Sequence, residues 1–207
     1  RLGVLVDSPF TLAAVAAGIE HPFDIWLETD TGYQRSGLPV TTDESSVRPF
    51  AELCAIAQQY PHVAVRGFVS HSGHSYGYTQ QGRTLDALFD ETIGLLKLLQ
   101  GRLAALGYKN LGISLGDTPM ASVVSNLHGA DELRPGNFIF YDWMQYTFGS
   151  CAESDIAVAV AAPVVANYPD RNEVILYSGA VHLGKEMMAH PGGGFDYGHI
   201  APLTDTG

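Results

Sequence analysis

The polar residues able to do chemistry fall into four clusters beside apolar runs. Glu28-Thr29-Asp30-Thr31-Gly32-Tyr33-Gln34-Arg35-Ser36-Gly37 follows FDIWL, and Ser70-His71-Ser72-Gly73-His74-Ser75-Tyr76 follows VAVRGFV. Gly116-Asp117-Thr118-Pro119 follows LGISL, and Glu132-Leu133-Arg134-Pro135-Gly136-Asn137 leads into FIFYD. The Gly-Asp-Thr-Pro turn offers backbone amides and a hydroxyl with no bulk at Gly116. It reads either as an anion cradle or as a helix cap by Asp117 or Thr118. Arg-Pro-Gly-Asn supplies a second set of amides, or is a plain turn. Arg35, one of eight arginines, can hold a phenolate or carboxylate oxygen, or pair with Asp30 or Glu28. His71 and His74 have the spacing of two metal ligands, but a tetrahedral site needs more, and hydrogen-bonded loop histidines fit equally. Tyr76 can present its hydroxyl to a ring nitrogen or simply pack. Ser114, Ser122 and Ser125 lack a nucleophile-elbow context, so hydrolysis by serine has little support.

These clusters need strands to carry them. Leu2 to Val6, Phe23 to Leu27, Val63 to Val69, Leu111 to Leu115 and Phe138 to Tyr141 read as short apolar strands, as expected when both sheet faces are covered. Between them, Asp7-Ser8-Pro9 starts a helix through FTLAAVAAGI, and Ser45 to Tyr60 is helical with Phe50, Leu53, Ala57 and Tyr60 on one face. The longest helix runs from about Thr84 to Leu106, with Leu85, Leu88, Ile93, Leu96, Leu99 and Leu103 near 3.6 spacing. Pro119 suits the first turn of a helix over MASVVSNL. Strand and helix in alternation predict an α/β domain with a parallel sheet over residues 1–150. An open doubly wound sheet and a (β/α)8 barrel both match, and about five strands are too few to close a barrel. The texture changes after Cys151. IAVAVAAPVVANYP and EVILYSGAVHL, joined at Asp170-Arg171-Asn172 and followed by Pro191-Gly192-Gly193-Gly194, predict the start of an all-β domain over 151–207. Within it, Ile156 to Ala166 reads as a buried strand. In parallel α/β folds function sits past the carboxyl ends of the strands, where all four clusters fall.

Composition narrows the partners. The 207 residues are 46% hydrophobic and 16% charged, enough to bury a core and too apolar for a disordered chain. With 22 acidic against 11 basic side chains the net charge is −11, so nucleic acid and membrane surfaces are poor partners. Cys54 and Cys151 cannot form a disulfide framework or a four-thiolate metal site, and a reduced, cytosolic setting is expected. No apolar run reaches the roughly 18 residues of a membrane span. The chain enters a core strand directly from Arg1, with neither Met nor a signal peptide, which points to residues removed upstream.

Taken in order, DTGYQRSG (Asp30 to Gly37), GFVSHSGHSYG (Gly67 to Gly77), SLGDTP (Ser114 to Pro119) and ELRPGNFIFYD (Glu132 to Asp142) resemble the fold-type III pyridoxal-phosphate enzymes. These are the alanine-racemase-like barrels, and the match is nearest to the D-threonine aldolase and D-serine dehydratase branch. The resemblance spans nearly the whole chain. It implies a partial (β/α)8 barrel followed by the entry to a β-rich C-terminal domain. It implies that Arg35 meets the cofactor's phenolic oxygen, His71 lies beneath the pyridine ring, and Tyr76 meets the ring nitrogen. Gly116 and Thr118, with the amides of Gly136 and Asn137, match the phosphate cradle. Racemases place an arginine at Arg134 against the ring nitrogen, a role that Tyr76 would make redundant.

The resemblance also implies what the chain lacks. The family's Schiff-base lysine lies on a first barrel strand upstream of Arg1, and Lys97, Lys109 and Lys185 stand elsewhere, so no catalytic residue is expected here. A zinc or manganese site in metal-dependent members lies beyond Gly207. Tyr177-Ser178-Gly179 stands where relatives have Asp-Ala-Gly. The expectation is a fragment of an aldolase, dehydratase or racemase acting on D-amino acids or D-3-hydroxy amino acids, dimeric when complete and inactive as a fragment. The alternatives are a barrel that binds the phosphorylated ligand without turnover, and a metal-dependent hydrolase using His71 and His74.

Overall fold

Parallel pairing dominates the computed structural model, which describes residues 2–78, 81–179, 181–189 and 194–200. Strands β1 (Gly3–Val6), β2 (Phe23–Asp30), β4 (Val63–His71), β5 (Gly112–Gly116) and β6 (Glu132–Leu133) lie side by side in that order. The two-residue β3 (Leu38–Pro39) pairs with the end of β2, and every pairing in this sheet is parallel. Helices α1 (Pro9–Gly18), α2 (Arg48–Ala57), α3 (Ser75–Tyr78), α4 (Leu85–Ala105) and α5 (Thr118–Val123) fill the connections. By its contacts the chain divides into two compact units, Arg1–Phe138 and Ile139–Gly207.

Local chemistry sets the helix starts. The Ser8 hydroxyl accepts from the Thr11 amide at 3.1 Å with Pro9 behind it, and Thr84 accepts from the Ala87 amide at 3.2 Å. On α4, Leu85, Leu88, Ile93, Leu96, Leu99 and Leu103 are all buried, as their spacing requires, together with Phe89 and Thr92. They meet Phe23, Ile25 and Leu27 of β2 and Phe50 and Leu53 of α2 in one core. Helix α5 is shorter than MASVVSNL suggests. It ends at Val124, where β-branched residues and then Ser-Asn succeed one another.

Both faces of the sheet are covered at β4 and β5, as expected, where Gly67 to Ser70 and Ile113 to Gly116 are buried in succession, but not at β2. Along β2, buried Phe23, Ile25, Leu27 and Thr29 alternate with half-buried Asp24, Trp26, Glu28 and Asp30. A bulge at Arg66 shifts the register, so that Ile25 faces Val65 but Trp26 faces Gly67. The displaced Arg66 pairs with Asp24 at 3.0 Å. Gly67 then lies so near β5 that a Cβ on it would sit 1.9 Å from the Gly112 carbonyl oxygen, at φ +155°.

Two expectations about the later strands fail. Phe138 to Tyr141 is not a strand: Asn137–Ile139 is a 3₁₀ turn, and the last strand of the sheet is Glu132–Leu133. The Arg134 amide still reaches the Leu115 carbonyl at 2.6 Å, but Pro135 has no N–H to continue the ladder. Ile156 to Ala166 is not a buried strand either. Most of it is exposed and without regular structure, and β7 (Val164–Tyr168) begins only after Pro163. β7 pairs antiparallel with β8 (Glu173–Leu176) across a Pro169–Arg171 turn closed by left-handed Asn172. The second unit adds α6 (Trp143–Thr147) and the short antiparallel pair β9 (Met188–Ala189) and β10 (Phe195–Asp196). Of the expected glycine-rich turn, Pro191 to Gly193 lie outside the described residues.

Two substitutions test this packing. Gly67→Ala forces β4 and β5 apart and is expected to lower unfolding stability by about 3 kcal/mol, read from the urea midpoint. Leu99→Ala should cost about 2–5 kcal/mol and Leu98→Ala under about 0.5 kcal/mol, because Leu99 is 1% and Leu98 38% exposed. Equal losses at the two leucines would contradict the core described here.

Candidate functional site

Each parallel strand ends on the same edge of the sheet, and the loops that follow are tied down individually. After β2, the Asp30 carboxylate accepts from the amides of Gly32 at 2.9 Å and Gln34 at 3.0 Å. The Ser36 hydroxyl donates to Glu28 at 2.6 Å. Asp30 and Glu28, the carboxylates that the sequence offers Arg35, therefore brace the loop. Arg35 instead carries its guanidinium 5.3 Å from the centre of the Tyr33 ring.

After β4, His71 stands opposite Gly116 in register, and the Ser72 amide donates to the Gly116 carbonyl at 3.2 Å. Burial, then the cations of Arg35 and Arg134, hold the His71 imidazole below its ordinary pKa, against an opposing backbone hydrogen bond with Gly116. At neutral pH it is an uncharged ring. Burial also lowers His74, against the pull of Asp30 and Glu91. Tyr33 lies edge-on to His71 with centroids 5.6 Å apart, and near-parallel to His74 at 6.3 Å. Tyr76 is half-buried on α3, directly after this loop.

After β5, Asp117 caps α5, accepting from the Met120 amide at 2.7 Å and from the Ser75 hydroxyl at 3.0 Å. The helix-cap reading of this turn is thus correct for Asp117. Burial pushes its carboxyl up to about 6. Thr118 is buried, and its Oγ1 accepts from the Asn137 amide at 2.9 Å, which joins the turn after β5 to the one after β6. A hydroxyl that accepts one hydrogen bond still has its own proton to donate. Gly136 is exposed beside it.

Arg134 completes the rim. Its Nε donates to the Ser114 hydroxyl at 2.7 Å, and its Nη2 to the carbonyls of Ser70 and Ser114 at 3.1 and 3.2 Å. Ser114 in turn donates to Glu132 at 2.8 Å. A Cβ at Gly116 would meet Nη1 of Arg134 at 3.0 Å, so glycine leaves room for the guanidinium.

Arg35, His71, Tyr76, Gly116, Thr118, Gly136 and Asn137 therefore all lie at or just beyond the carboxyl ends of β2, β4, β5 and β6. The ring contacts of Tyr33, the bond from Ser75 to Asp117 and the fixed posture of Arg134 are not legible in the sequence. An aromatic between Gly32 and Arg35 was the only hint of the first. The lysines lie elsewhere. Lys97 is on α4, bonded to Gln100 at 3.4 Å, and Lys185 is in the second unit. Lys109 precedes β5 and lines a cavity of about 260 Å³ with Cys54, Val63 and Leu111, at the strands' amino ends. Among the described residues no group of three or more His, Cys, Asp or Glu could hold a metal ion, which leaves the hydrolase reading without a third ligand.

Comparison with known proteins identifies the family and the fold. The family model described as "Alanine racemase, N-terminal domain" matches residues 1–142. A D-serine dehydratase from Dictyostelium discoideum is 34% identical over 201 residues, covering 90% of this chain and 49% of that protein. A D-threo-3-hydroxyaspartate dehydratase from Delftia sp. strain HT23 is 31% identical over 209 residues, covering 98% and 53%. Its solved structure superposes with a TM-score of 0.76 at 27% identity, over 90% of this chain and 48% of that one. A D-threonine aldolase from Filomicrobium marinum shares the fold, with a TM-score of 0.63 at 19% identity over 89% of this chain and 49% of that one. The chain spans about half the length of the curated relatives it matches. Its fold is accordingly α/β, part of a (β/α)8 barrel leading into a β-rich segment. On its sequence and its parallel sheet alike, the chain belongs to the alanine racemase N-terminal domain family.

Proposed function

We propose that the protein containing this chain is a pyridoxal-phosphate-dependent lyase acting on D-3-hydroxy amino acids. The observation that carries the reading is the placement of Arg35, His71, Arg134, Thr118 and Asn137 at or just beyond the carboxyl ends of separate parallel strands. The donor set suits this cofactor. Two guanidinium groups stand at one rim of a chain with net charge −11, beside an uncharged imidazole. Such a rim favours an anionic, flat aromatic ligand over a metal or a nucleic acid.

In this reading Thr118, whose Oγ1 accepts the Asn137 amide, would donate its hydroxyl proton to a phosphate oxygen beside Gly116 and the Gly136 amide. Arg35 holds the phenolic oxygen, His71 supports one face of the ring, and Tyr76 offers its hydroxyl to the ring nitrogen. When bound, the cofactor supplies the electron sink for chemistry at the substrate's α-carbon. The chain's own residues hold it still and keep charge balanced around it. Relatives that are dehydratases of D-serine and D-threo-3-hydroxyaspartate support a 3-hydroxy substrate and loss of its hydroxyl. We further propose that residues 1–150 serve as the cofactor-binding barrel portion and 151–207 as the start of the β domain. The protein would be a cytosolic homodimer, with any zinc or manganese held outside this chain.

One observation favours a second reading. Neither Lys97 nor Lys109, the lysines of the first unit, stands at the rim, as a barrel that binds the ligand without turnover would have it. A single experiment separates the two. The protein is loaded with pyridoxal phosphate, reduced with borohydride and mapped by peptide mass. Labelling of one lysine outside residues 1–207 is expected. Binding without any adduct establishes the non-catalytic reading, and an adduct on Lys97, Lys109 or Lys185 overturns both. Arg35→Ala should weaken cofactor binding roughly tenfold to a hundredfold, the worth of about 1.5–3 kcal/mol for a charged hydrogen bond. Unchanged affinity would remove Arg35 from the site.

A further inference from the structure

Tyr33 has no part in the reading above, yet its ring joins the loop after β2 to the loop after β4. Three groups surround it. His71 lies edge-on at 5.6 Å and 62°, His74 stacks at 6.3 Å and 26°, and the Arg35 guanidinium lies 5.3 Å from the ring centre. Gly73 closes a further side, since a Cβ there would lie 2.4 Å from the ring carbons Cε1 and Cζ. No larger residue fits at 73 while the ring keeps this place.

The ring is also held from its own side. Asp30 accepts the amides that flank it, at Gly32 and Gln34, and Gln34 takes a left-handed conformation at φ 60°. Tyr33 is 37% exposed, so it is not a core residue whose loss would unfold the sheet. Its contacts are face and edge contacts of an aromatic ring, which a phenyl ring makes as well as a phenol.

We propose that Tyr33 is a positioning residue for the cofactor site, its ring rather than its hydroxyl fixing the plane of His71 and the reach of Arg35. This rests on the pyridoxal-phosphate reading and adds to it the element that holds two of its contacts in register. The ring also takes water away from His71. The other groups that bear on that imidazole are Arg35, Arg134, His74 and the Gly116 backbone.

The test compares the unmodified protein with Tyr33→Phe, Tyr33→Leu and Tyr33→Ala. It reads pyridoxal-phosphate affinity, and the imidazole titration of His71 by NMR in the cofactor-free protein. Tyr33→Ala and Tyr33→Leu are expected to weaken affinity about tenfold and to raise the His71 pKa as water reaches it. Tyr33→Phe should restore both. Unchanged affinity and titration in the Ala and Leu variants overturn the proposal, and so does a Phe variant as impaired as Ala, which would give the role to the hydroxyl. Failure of the unmodified protein to bind pyridoxal phosphate sinks the function reading instead. The His71 titration still reports whether Tyr33 shields that ring.

Discussion

The pairing of β4 with β5 governs the rest of the rim. It sets His71 opposite Gly116 and leaves the Ser70 and Ser114 carbonyls where Arg134 can bridge them. That pairing depends on Gly67, because only a residue without a Cβ lets the two backbones approach beside Trp26 and the Arg66 bulge. A parallel sheet puts every strand's carboxyl end on one edge, so a single close contact in mid-strand fixes the height of three loops relative to one another. Distant glycine and local chemistry are linked by the rigidity of the ladder.

Charge at this edge runs against the chain as a whole. The protein is acidic, yet the carboxylates nearest the rim are engaged. Asp30 holds amides, Glu28 takes Ser36, Glu132 takes Ser114, and Asp117 caps a helix. Arg35 and Arg134 are thereby left as the charges that bear on His71, and together with burial they keep it uncharged. Ser114 donates to Glu132 and accepts from Arg134, and so bridges an acid and a base that also pair directly at 3.8 Å.

Much of this was readable from residue order. The leucine spacing of α4 gave its buried face, Ser8, Pro9 and Thr84 gave helix starts, and the four polar clusters gave the loops. Misreadings came where apolar stretches had no fixed period. FIFY and IAVAVAAPVVA have the composition of strands, but Pro135 and Pro163 deny them ladder hydrogen bonds and little covers them. Apolar composition reports a preference for burial, and burial needs a surface to press against.

The sequence by itself determined the class of fold, the order of its elements and the types of group at each strand end, because those follow from local periodicity and capping. Only the tertiary structure decided which groups meet. It bound Asp30 to the Gly32 amide and Glu28 to the Ser36 hydroxyl, laid Arg134 across β4 and β5, and set Tyr33 among His71, His74 and Arg35. Those partnerships join residues some forty to sixty positions apart in places. They arise from strand register and the bulge at Arg66, which no local pattern encodes.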